Sequence, residues 1–120
     1  MVTENPHQIA ADYIDRWQKL WNEQGAISAL YTADSVLVGY RTAVGKADIA
    51  ALLQSIREQG WTGITIKVVN ARAVAGVVVV ACEYTAIASG HNAGQTRDGK
   101  SSHVLALIGD TWLSAMHTTT

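Results

Sequence analysis

The sequence predicts an α+β domain with its helices first and an antiparallel meander after them. Three observations carry that expectation. Apolar residues recur at helical spacing over the first half of the chain, the period changes to two from Trp61 onward, and β-branched residues dominate the second half. At 120 residues and 12.8 kDa the chain has the size of one domain, so residues 1–120 are read as a single unit.

Asn5 suits an N-cap, Pro6 the first helical position, and Gln8 the closing place of a capping box. Ile9, Tyr13, Trp17, Leu20 and Trp21 then follow at spacings of three and four as one apolar stripe, and Gly25 ends the helix as a left-handed cap. A short second helix is expected from Ala26 to Tyr31, broken before Asp34. Ser35 to Val38 reads as a brief strand, with Gly39 and Tyr40 at its end. In GKADIAALLQSIREQG, Gly45 opens a third helix, Ile49, Leu52, Leu53 and Ile56 share a face, and Gly60 closes it.

Strands follow at about 62–74, 77–88, 100–108 and 111–118. The turn Ala75-Gly76 sets Val74 opposite Val77, hence Val69 opposite Cys82 and Lys67 opposite Tyr84. Gly109-Asp110 sets Ile108 opposite Thr111, Leu107 opposite Trp112 and His103 opposite Met116. That register puts His117 on the face of Ser102 and Val104, away from His103. The stretch from Ser89 to Gly99 is polar and glycine-rich, a connection with no readable register.

Composition narrows the function classes. Apolar residues make up 48% and charged residues 16%, which excludes disorder and leaves little charge to solvate a monomer. The net charge is −1 with the signs interspersed, so neither a nucleic acid nor a membrane surface is an expected partner. The longest apolar run, Ala73 to Cys82, is half the length of a membrane span. The opening MVTENPHQIA has no basic or apolar leader region, and a cytoplasmic protein is expected. Cys82 is the only cysteine, which excludes an internal disulfide framework, and it reads as core rather than nucleophile. The four histidines lack metal-ligand spacing, so no metal and no cofactor are expected. GYRTAVGKA is one residue too long for a phosphate loop and has Ala47 in place of the required hydroxyl residue. Val77 to Cys82 and Val104 to Ile108 are apolar on both faces. One face takes the helices, and a second copy of the chain is the expected cover for the other.

WNEQGAISALYTADSVLV, GKADIAALL and SSHVLALIGDTWLSAMHTT, in that order and spacing, resemble the nuclear transport factor two-like superfamily, above all its SnoaL-like and ketosteroid isomerase-like small bacterial members. The resemblance covers roughly Ile9 to His117. It implies a curved antiparallel sheet wrapped as a cone around about three N-terminal helices (a cystatin-like roll), with a pocket at the open end and homodimers through the back of the sheet. It also implies binding of a small apolar molecule, with isomerase, hydro-lyase or hydrolase chemistry among the outcomes. The final hairpin resembles the association domain of calmodulin-dependent kinase two as well. A non-catalytic dimerisation module is therefore the alternative.

Carried over residue by residue, the ketosteroid isomerase machinery is not matched. The base position falls on Gly39, the helix-one tyrosine position on Trp17 with Tyr13 a turn earlier, and the second oxyanion donor at or near Ser102. An epoxide hydrolase set of two aspartates and an arginine has only Asp34, Arg72 and Asp98 to draw on. His103, which interrupts an apolar strand, is the best polar pocket residue and the one catalytic candidate. Tyr13, Trp17, Tyr31, Trp61 and Tyr84 are candidate pocket aromatics, with core packing as the competing role. His117 completes the candidate set, with frayed surface as its competing role. Glu83 could act as a general base but is expected on the outer, dimer side beside Val68 and Asn70, because Tyr84 looks inward.

Overall fold

The computed structural model describes residues 5–120. The first four, part of the opening stretch read above for a leader, lie outside the described residues. Helix α1 (Pro6–Asn22) starts where the sequence places it: the Asn5 side chain accepts from the His7 backbone N–H at 2.8 Å, with Pro6 just inside. The capping box does not close, because Gln8 bonds Asp12 one turn further on. The left-handed residue that ends the helix is Gln24 (φ 59°), one position earlier than expected. Gly25 is required for a different reason, since a Cβ there would stand 2.7 Å from the Leu20 side chain.

The expected second helix shortens to a single 3₁₀ turn, Ile27–Leu30, with no side chain capping it. Among the described residues two α-helices therefore form, against the expectation of about three. Tyr31 already belongs to strand β1 (Tyr31–Val38), and a three-residue strand β2 (Thr42–Val44), absent from the sequence reading, pairs back on it. Helix α2 (Lys46–Glu58) opens behind Gly45 and buries Ile49, Leu52 and Leu53. Each such aliphatic side chain contributes about 1.5–3 kcal/mol on leaving water. Strands β3 (Trp61–Val74), β4 (Val77–Ala88), β5 (Thr96–Ile108) and β6 (Thr111–Thr119) complete the chain. Strand β5 extends four residues into the stretch read as a connection, where Arg97 and Asp98 pair with Ala86 and Thr85.

All six strands form one curved sheet in the order β2-β1-β6-β5-β4-β3. It is not wholly antiparallel. Strand β1 enters beside β6 in parallel, because the helices intervene in sequence before the meander begins. Both α-helices pack on the concave face, where the buried core gathers Tyr13, Trp17, Leu37, Leu52, Val78 and Leu105.

Two irregularities change the register read from the turns. Beyond the type I′ turn (Ala75 φ 49°, Gly76 φ 84°), β3 carries a bulge at Val69. Val68 rather than Val69 therefore lies opposite Cys82, and Ile66 rather than Lys67 opposite Tyr84. In the last hairpin Ile108 and Leu107 meet Thr111 and Trp112 as the turn dictates. An extra residue, Ala115, then sits between the pairs Leu105–Ser114 and Val104–Met116. From there on every side chain of β6 changes face. His117, not Met116, stands opposite His103, so the expectation that the two histidines occupy opposite faces is corrected.

Candidate functional site

The corrected register aligns Leu37, His117, His103, Val80 and Ala71 as one row across the concave face of five strands. The next row contains Tyr31, Ser114, Leu105 and Val78. Directly opposed residues hold their Cβ atoms about 5 Å apart, which is why the two imidazoles can stack. Their ring centres are 4.0 Å apart at 22°. Both rings are almost fully buried, at 3% and 5% exposure.

Each imidazole commits Nδ1 to a hydroxyl. Nδ1 of His103 lies 2.9 Å from Ser114 Oγ, which also donates to the Met116 carbonyl at 3.1 Å. Nδ1 of His117 lies 2.7 Å from the Tyr31 hydroxyl, which accepts from Trp17 Nε1 at 3.0 Å. Neither Nε2 has a hydrogen-bond partner among the described residues. Neither is among the sealed unpartnered polar atoms of the described residues, which are Ser35 Oγ and Arg57 Nε, so both open onto the space in front of them.

That space is a cavity of about 360 Å³, within the range of small-molecule sites. The histidines form its polar floor. Its walls are apolar: Trp17 and Trp21, stacked at 5.2 Å, come from α1, Leu52 and Ile56 from α2, and Ile64 and Ile66 from β3. Trp61, Tyr40, Gln59 and Arg97 stand towards the mouth. Among the described residues no aspartate or glutamate side chain lines the cavity.

Burial sets the protonation. Desolvation holds the His103 imidazole well below its ordinary value, and the neighbouring His117 ring lowers it further. Desolvation alone brings His117 down to about 3. Both rings are neutral at pH 7. Burial likewise raises the Tyr31 and Tyr13 phenols, so neither ionises in the working range.

Of the candidate residues, Trp17, Trp61, Tyr84, His103 and His117 line the cavity. Tyr13 and Tyr31 do not. Tyr13 packs edge-on behind His103 and donates to the Leu30 carbonyl, while Tyr31 holds His117 from behind. Tyr84 lies over Gly99, where a Cβ would meet its ring, and its hydroxyl donates to the Thr120 carbonyl at 2.7 Å. Ser101 faces the cavity, and Ser102, the expected oxyanion position, faces outward. Glu83 is on the outer face, as expected, but across from Lys67 rather than beside Val68 and Asn70. Asp34, Arg72 and Asp98 do not come together: none lines the cavity, and Arg72 and Asp98 pair with positions six residues apart along β4. The sequence reading missed Ser114 and Trp21. A signal for Ser114 existed in the spacing of Trp112, Ser114 and His117, which cannot share one strand face without a bulge.

A curved six-stranded sheet enclosing a cavity against its helices has clear counterparts among solved structures. A ketosteroid isomerase-like protein from Erwinia carotovora superposes with a TM-score of 0.82 at 18% identity, over 98% of this chain and 96% of that one. A nuclear transport factor two-like protein of unknown function from Shewanella oneidensis gives 0.81 at 11%, over 96% and 98%. The chain has the nuclear transport factor two-like fold. A third protein with this fold, from Salmonella enterica, matches at 0.77 and 15% identity over 96% and 89%. No protein-family model matches the chain, and no curated protein matches it in sequence. The fold supplies the cavity, and the chemistry of the floor has to be read from this chain's own residues.

Proposed function

We propose that the protein binds a small, mainly apolar molecule in the cone of its sheet, with the neutral His103–His117 pair as the polar anchor. The observation that carries this reading is the cavity itself. Indole rings and aliphatic side chains enclose about 360 Å³ that converges on two open imidazole nitrogens. A vestigial pocket, as in a purely associative module, would be filled by side chains. Isomerase, hydro-lyase or hydrolase chemistry has weaker support, because among the described residues no aspartate or glutamate lines the cavity and both imidazoles are poor bases at neutral pH. The test is thermal shift and tryptophan fluorescence with flat apolar compounds, using Trp17 and Trp21 as reporters. Ala86, a small cavity-lining residue, supplies the control. Binding should be saturable in the native chain and lost in a folded Ala86→Phe variant. Identical responses from both proteins would refute the reading.

The outer face supports a second reading, which is compatible with the first. Val44, Val36, Met116, Val104 and Val79 run side by side across five strands on the face turned away from the helices. Met116 and Val44 are exposed there. We propose that a second copy of the chain covers this row, as a homodimer burying well over ~1,000 Å² in total. Light scattering at micromolar concentration should give the mass of two chains. The mass of one chain overturns this reading.

A further inference from the structure

We propose that the ligand meets the paired histidines with a neutral group that both accepts and donates a hydrogen bond, in its simplest form a hydroxyl on a flat apolar body. This rests on the binding reading above and adds the chemistry of the head group.

The assignment comes from following protons through the buried chain. An indole N–H can only donate, so Trp17 gives its proton to the Tyr31 oxygen. The Tyr31 proton then goes to the other partner of that hydroxyl, Nδ1 of His117. That nitrogen is an acceptor, and neutral His117 carries its proton on Nε2. The other ring works out the opposite way. A carbonyl can only accept, so the Ser114 hydroxyl donates to Met116 O, and its oxygen accepts from Nδ1–H of His103. His103 is left with a bare lone pair on Nε2.

The cavity is therefore offered one donor, His117 Nε2–H, and one acceptor, His103 Nε2. With ring centres 4.0 Å apart, one small head group spans both. A hydroxyl accepts from His117 and donates to His103. An ether or ketone serves only the first, and an ionised carboxylate sets its own lone pairs against that of His103. An ammonium group confronts the His117 N–H. Leaving one buried site unpaired weakens binding by roughly tenfold or more.

Calorimetry at neutral pH with 2-naphthol, 2-methoxynaphthalene and 2-naphthoate separates these head groups on one ring system. 2-Naphthol should bind at least about tenfold more tightly than either of the others. Equal or tighter binding of the ether or the carboxylate overturns the head-group assignment and leaves the binding reading standing. Binding of none of the three overturns both. Long-range ¹⁵N–¹H correlation spectra of the histidines test the proton assignment without any ligand. Nδ1–H on His103 and Nε2–H on His117 are expected, and Nε2–H on both rings overturns the proposal whatever 2-naphthol does.

Discussion

Replacing Tyr31 by Phe removes one oxygen and almost no volume, so it isolates the polar support of the site from its packing. Tyr31 is fully buried, and its hydroxyl serves two partners at once, Trp17 Nε1 at 3.0 Å and His117 Nδ1 at 2.7 Å. Among the described residues the Nδ1 lone pair has no other hydrogen-bond partner, and the indole N–H loses its acceptor. A buried group left unpaired costs about 1–3 kcal/mol, so the two together should cost about 2–6 kcal/mol. For a chain of this length that lowers Tm by roughly 10–20 °C, and it is a large share of a stability of about 5–15 kcal/mol. Urea unfolding followed by tryptophan fluorescence measures it, with an unchanged slope showing that the native state stays equally compact. A loss below about 0.5 kcal/mol would refute the hydrogen-bonded chain on which the histidine geometry depends.

Acid should destabilise the fold through the same pair. Both histidines have folded-state values below the unfolded one, so their contribution is complete above about pH 6.5 and is lost as the pH falls, at up to about 1.4 kcal/mol per pH unit for each. Urea midpoints measured from pH 7 to 4.5 should fall steadily once the pH drops below about 6.5, and flat midpoints would contradict the burial of the rings. Ala75, held at φ 49° in the I′ turn, should be improved by Ala75→Gly by about 0.5–1 kcal/mol in the same assay, because glycine adopts that conformation without steric cost. With Gly39 after the end of β1 and no aspartate or glutamate among the described residues that line the cavity, a Δ5-3-ketosteroid should be isomerised no faster than in buffer. A positioned base gives about 10²–10⁴-fold, so turnover on that scale would be plain in an absorbance assay and would show that a base had been overlooked.

The sequence conveyed the α+β plan because local signals and tertiary packing agree there. The stripe from Ile9 to Trp21, the N-cap at Asn5 and the alternation after Trp61 each act over a few residues and meet no competing demand. The residues from Ala26 to Tyr31 were harder. Their composition allows a helix, but Tyr31 is drawn into β1 by pairing with Ser114, more than eighty positions away in the chain. The parallel contact of β1 with β6 is likewise a tertiary fact with no local trace. His103 was legible as a polar residue that an apolar strand must accommodate. Its partner was not, because turn geometry propagates register faithfully only until a bulge intervenes. Beyond Ala115 and Val69 the register derived from the turns is off by one.

Ala115 also ties together two surfaces that never touch. With the extra residue looped out, His117 and Thr119 face the cavity while Met116 joins the valine row on the far side of the sheet. Were the strand to run on regularly, Met116 would enter the cavity floor and His117 would stand in the middle of the outer row. One backbone irregularity thus decides both how polar the interior is and how greasy the exterior is, and it cannot alter one without the other. A chain that loses its ligand site by slipping here would, in the same movement, place an imidazole in the surface through which two copies would meet.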